Sequence, residues 1–160
     1  MFRFVVATAT LMLATAAHAE APFSAAVVNG GGAALSASFG PRTNANGDNV
    51  LHAGVDVSAA AGTAVHAPAG GRVLRVHAPG ALGGYTGQVV EIDHSGGVRT
   101  RLSGIDGAEA LAGSEINAGD IIGRIAPRDD SIAPHVHIEL WRDGRVFDPA
   151  TQIILVAEGG

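Results

Sequence analysis

The chain has 160 residues, a formal charge of −5, no cysteine and no lysine, so all ten of its basic residues are arginine. Its length points to one domain. Without cysteine there can be no disulfide, thiolate zinc site, cysteine nucleophile or lipid-modified N-terminal cysteine, and without a basic stripe nucleic-acid binding has no support.

From the N-terminus, Arg3 is followed by an apolar run, Phe4 to Ala17, and then by Ala17-His18-Ala19. A charged start, an apolar stretch too short to span a bilayer and a small-x-small pattern predict a secretory signal peptide over 1–19. Cleavage is expected between Ala19 and Glu20, giving an exported protein, periplasmic or secreted, with His18 discarded. No later stretch has the length and apolarity of a transmembrane segment. Residues 20–37 are assigned to an N-terminal segment, 38–150 to the domain and 151–160 to a C-terminal tail, fraying at "VAEGG".

Within the domain, glycines punctuate short runs rich in valine, isoleucine and alanine. That rhythm predicts an all-β fold with many tight turns. Strands are expected at "RVLRVHA" from Arg72, "QVVEIDH" from Gln88, "DIIGRIA" from Asp120 and "HVHIELW" from His135. In "WRDGRV", Asp143-Gly144 supplies the positive φ that a type I′ hairpin turn needs. Only Ala108 to Ala118 reads as a short helix. "INAGDIIGRIA" also looks like part of a biotinyl or lipoyl carrier, but carriers attach their cofactor to lysine, which this chain lacks.

The strand at His135 carries the chemistry. Residues two apart on a strand share a face, so His135, His137, Glu139 and Trp141 lie opposite Val136, Ile138 and Leu140. The aliphatic face belongs in a core. On the other face, one imidazole can bind an ion while the second reaches a group bound to that ion. Upstream, "HAGVD" offers His52 and Asp56, donors suited to Zn²⁺. On a fully extended strand their Cα atoms would stand about 13 Å apart, too far to share one ion, so the backbone must bend near Gly54. His52, Asp56 and one later histidine make three protein ligands and leave a fourth position for water, the catalytic pattern. His66 and His77 read as surface or rim residues, and His94 as a hydrogen-bonded structural residue.

These stretches resemble the lysostaphin-type zinc metallopeptidases, which cut peptide bonds in bacterial cell-wall peptidoglycan. The resemblance runs from about Ser38 to Pro149 and includes "SFGPR", "HAGVDVSAAAGTAVHAPAGGRV", "VVEIDHSGG", "INAGDIIGRIA" and "PHVHIELWRDGRVFDP". It implies a single compact antiparallel β-sheet domain of the duplicated hybrid motif kind. It implies further that His52, Asp56 and His137 are the metal ligands and that His135 is a catalytic histidine. One position departs from the family pattern. A second catalytic histidine, in a Tyr-x-His-Leu segment, is usual ten residues after the histidine corresponding to His94; here that count arrives at Gly104.

The resemblance therefore implies a zinc-dependent endopeptidase acting on peptidoglycan cross-links. Zn²⁺ would polarise the scissile carbonyl and acidify its water, and His135 would move the proton. Glu139 is a candidate to fix an imidazole tautomer from behind, and Arg99 or Arg101 to replace the missing positive charge. Losing one donor to the developing oxyanion typically costs roughly 10²–10³-fold in rate. The alternative is a catalytically impaired, metal-retaining protein that binds the wall or regulates another wall hydrolase. Retained ligands favour the enzyme; Gly104 favours the regulator.

Overall fold

The computed structural model describes residues 23–44, 46–128 and 131–157; the expected signal peptide and its cleavage point lie outside the described residues. The strands are β1 (Ala34–Ala37), β2 (Gly40–Thr43), β3 (Asn49–His52), β4 (Val55–Ser58), β5 (Ala64–His66) and β6 (Gly71–His77). They are followed by β7 (Gln88–Asp93), β8 (Val98–Asp106), β9 (Glu115–Ile116), β10 (Ile121–Ile125), β11 (His135–Arg142) and β12 (Arg145–Phe147). A single turn of 3₁₀ helix, Pro149–Thr151, closes the chain's regular structure.

One large antiparallel sheet runs in the order β1-β4-β11-β8-β7-β6-β9; β12 extends β11, and β10 joins β8 to β5. β2 and β3 form a separate two-stranded ribbon. The all-β expectation holds, and the reason is the period-2 pattern. On β11, Val136, Ile138 and Leu140 are fully buried with Leu102 of β8, Val90 and Ile92 of β7 and Val55 and Val57 of β4. The alternate residues rise from the opposite face. Asp143 at φ 49° and Gly144 at φ 77° turn β11 into β12, the positive-φ pair that the sequence demanded.

Two expectations are corrected. The stretch from Ala108 to Ala118 is not helical: Ser114 N–H bonds Leu111 O in a turn, and β9 pairs with β6 through Gly71↔Ile116 and Arg72↔Glu115. Its alanines favour helix, but Gly113 at φ 87° breaks the segment and the pairing with β6 overrides propensity. The segments flanking 38–150 pack onto the domain. Val27 and Val28 are fully buried, and their N–H groups bond Ile154 O and Leu155 O. The expected frayed tail is instead tied down as far as Ala157, whose N–H donates to Val28 O; residues 158–160 lie outside the described residues.

Candidate metal centre

Two neighbouring strands bring the two sequence stretches together. β11 pairs with β4 in the register His137↔Asp56, while His52 ends β3 in the other ribbon. The chain changes sheets across Ala53–Gly54, which is the bend that the spacing required. Gly54 serves it by close approach rather than by positive φ: a Cβ there would lie 2.2 Å from Ile138 O and 2.9 Å from the His137 ring. Glycine is thus the residue that lets His52 and Asp56 close on His137.

The three donors form a small triangle. His137 Nδ1 lies 2.7 Å from Asp56 Oδ1 and 3.1 Å from His52 Nε2, and His52 Nε2 lies 3.3 Å from Asp56 Oδ1. Ligand atoms on a tetrahedral zinc ion, with bonds of about 2.0–2.2 Å, stand about 3.3 Å apart. The set therefore fits one ion with little movement, and among the described residues it is the one group of three such donors.

The far side of each ring is also held. His52 Nδ1 donates to Ser38 O at 2.7 Å, which leaves Nε2 as the bare nitrogen facing the triangle. His137 Nε2 faces Glu139 Oε1 at 3.4 Å, which leaves Nδ1 facing it. Outer partners of this kind fix ligand tautomers and raise ligand basicity.

Glu139 is only 2% exposed, despite lying on the cleft face of β11. It is held by Tyr85 Oη at 2.6 Å, Trp141 Nε1 at 2.6 Å and Arg101 Nη1 at 3.3 Å. Arg101 in turn pairs with Glu91 at 2.9 Å and donates to Tyr85 Oη at 2.9 Å. Its guanidinium lies over the Tyr85 and Trp141 rings, 5.5 and 5.3 Å from their centroids. Arg101 is therefore a packed, fully paired cation, and its contacts run to Glu139 rather than into the cleft. Tyr85 belongs to the site although the sequence reading did not single it out. It sits in a glycine-rich loop, with no strand periodicity to mark its direction.

Electrostatics follow from these contacts. Burial alone would raise the Asp56 carboxyl, but the hydrogen bond from His137 and the nearby histidines hold it below the usual range. Burial pushes His137 down, yet bonding and charge from Asp56 and Glu139 outweigh it and lift the imidazole to about 9. For Glu139, burial likewise raises the carboxyl, and His137, Tyr85, Trp141 and Arg101 together bring it below its ordinary value.

His135 lines the same cleft of about 550 Å³ as His52, Asp56 and His137. Its Nδ1 donates to Ala133 O at 2.9 Å, so the neutral ring keeps its lone pair on Nε2. Among the described residues, 23–37 contribute none of the cleft lining. The other histidines stand apart. His94 is fully buried, bonded to Gly70 O and Thr100 Oγ1, each at 2.8 Å. His66 bonds Val27 O, and His77 faces Glu91 at 3.5 Å.

In β8, Ser103 pairs with His137 and lines the cleft. Gly104 follows at φ 79°, where a Cβ would lie 2.4 Å from His135 O. Its N–H and C=O are taken by Thr86 O and Ala126 N. This backbone has no room for a side chain at 104.

An antiparallel sheet with a His-Asp-His triangle on its polar face defines a metallopeptidase of the lysostaphin type. Residues 50–149 match peptidase family M23, and the chain belongs to that family. It is 34% identical over 101 residues to the DD-carboxypeptidase/endopeptidase Mpg of Neisseria meningitidis, a match covering 63% of this chain and 22% of that protein. The chain thus spans about a fifth of the length of this curated relative. The fold is shared with the catalytic domain of lysostaphin from Staphylococcus simulans (TM-score 0.62, 23% identity, 74% of this chain and 90% of that one). It is shared too with a zinc-containing peptidase from Vibrio cholerae (TM-score 0.63, 24% identity, 71% and 35%).

Proposed function

We propose that the protein is a zinc-dependent endopeptidase, exported from the cytoplasm, that hydrolyses peptide cross-links of bacterial peptidoglycan. The observation that carries this reading is the triangle of His52, Asp56 and His137, with donor separations of 2.7–3.3 Å and both rings held from behind. The similarity to Mpg supports the substrate class. A zinc ion in this set supplies Lewis acidity toward a carbonyl and an acidified water.

The chain's own residues do the rest. His52, Asp56 and His137 hold the ion, and Ser38 O and Glu139 keep the two rings turned the right way. The lone pair on His135 Nε2 accepts a proton from the attacking water and returns it to the leaving amine. Tyr85 and Arg101 keep Glu139 ionised and fixed, so His137 keeps one orientation through the cycle.

A second reading draws on Gly104. Where the family's second histidine is expected, this backbone accepts no side chain, which favours a metal-retaining protein that binds wall peptides or regulates another wall hydrolase. One experiment separates the two. Mature protein is assayed for bound zinc and for release of muropeptides from purified peptidoglycan, alongside His135→Ala. Zinc-dependent release abolished by the substitution supports the enzyme; stoichiometric zinc without release supports the regulator.

A further inference from the structure

A second cavity, of about 490 Å³, opens on the same face of the sheet and is lined by Glu91, Arg99, Arg101, Trp141 and Asp143. Its residues continue the cleft's cross-strand rows. Ser103 stands opposite His137, Arg101 opposite Glu139, and Arg99 opposite Trp141. Trp141 lies four residues beyond His137 on β11, about 13 Å along the strand at roughly 3.3 Å per residue. An extended peptide lying over the metal triangle and following β11 reaches this cavity within about four residues.

The charges lining it fall into two groups. Glu91 and Arg101 are committed to each other and, through Arg101, to Glu139. Arg99 and Asp143 are exposed, and neither forms an ion pair with the other or with any other described residue. Asp143 sits in the β11–β12 turn, its carboxylate against Gly97, where a Cβ would lie 2.3 Å from Oδ1. Trp141 lines the same cavity, its indole fixed by the 2.6 Å bond from Nε1 to Glu139 Oε2. A carboxylate alone would meet the repulsion of Asp143, and an ammonium alone that of Arg99. A ligand bearing both groups satisfies both.

Building on the peptidase reading, we infer that this cavity is a subsite for a free amino-acid centre of the wall peptide. Arg99 takes the carboxylate, Asp143 the ammonium, and Trp141 packs against the carbon chain that bears them. Such a centre is the terminus of a diamino acid side chain left uncross-linked, about four residue lengths from the bond lying over the metal triangle. The subsite selects which strand of a cross-link lies along β11.

The test is equilibrium binding of a synthetic cross-linked peptide with one such centre, and of its carboxamide and N-acetyl forms, to the zinc-loaded protein. Arg99→Gln and Asp143→Asn are measured beside the native protein; asparagine tolerates the positive φ at 143, and zinc content checks that each variant is folded. Native protein is expected to prefer the free centre roughly tenfold over either blocked form. Arg99→Gln removes the preference over the carboxamide only, and Asp143→Asn that over the acetylated form only. Equal binding of all three peptides, no binding of any, or preferences that survive both substitutions overturns the inference. Muropeptide release by the same preparations separates the two ideas. Release without preference leaves the peptidase and removes the subsite; preference without release leaves a recognition site on a protein that does not cut.

Discussion

Two polar clusters sit side by side on one face of the sheet, and they are built on opposite terms. In the Glu91-Arg101-Tyr85-Glu139-Trp141 cluster the polar groups meet partners within the chain, with guanidinium, phenol, indole and carboxylates interlocked at 2.6–3.3 Å. In the His52-Asp56-His137 triangle the donors are turned inward on one another, two imidazole nitrogens and a carboxylate oxygen around one point. Such a set has the geometry to hold a cation from outside. The first cluster needs nothing from solution and gives rigidity; the second is rigid so that it can receive something. Glu139 joins them, and through it the self-sufficient cluster aims the receptive one.

The largest effect should come from breaking the triangle itself. Asp56→Ala or His52→Ala is expected to abolish stoichiometric zinc, as measured by elemental analysis, and to bring muropeptide release to background. His135→Ala should keep zinc at native stoichiometry while lowering the hydrolytic rate by roughly 10²–10⁴-fold; zinc loss in that variant would make His135 a ligand instead. Placing a histidine at 104 should fail. Positive φ and the His135 carbonyl together destabilise Gly104→His by about 3 kcal/mol, read from denaturant midpoints, with no gain in rate.

Cutting the link between the clusters should have a milder consequence. Glu139→Gln should retain the fold but weaken zinc by roughly 10–100-fold in chelator competition; unchanged affinity would mean that His137 is aimed by packing alone. The smallest stepwise effect is with pH. In metal-free protein His137 holds its proton up to about 9, above its ordinary 6.5, and the ion must displace that proton. Zinc affinity should therefore rise with pH across that window, by at most about tenfold per unit, with proton release visible in calorimetry across buffers of different ionisation enthalpy.

What the sequence revealed, it revealed through period and spacing. β6, β7, β10 and β11 were legible because valine and isoleucine alternate there between glycine turns. The convergence of His52 and Asp56 followed from a distance that no straight strand could satisfy. What it hid was long-range or carried by backbone. The Ser38 carbonyl behind His52 has no side-chain signature, and Tyr85 reaches Glu139 across 54 residues. The alanine-rich stretch from Ala108 looked helical because propensity is local, whereas its pairing with β6 is not. Gly104 was readable only as an absent histidine until the backbone set its φ and placed the His135 carbonyl against it.

Trp141 is the one tryptophan in the chain, and its indole N–H donates to the same carboxylate that braces the His137 ring. The protein thereby carries its own optical reporter. Filling the ion site is expected to change the electrostatic field at that carboxylate, and a zinc titration followed by the emission of this single fluorophore checks it without any label.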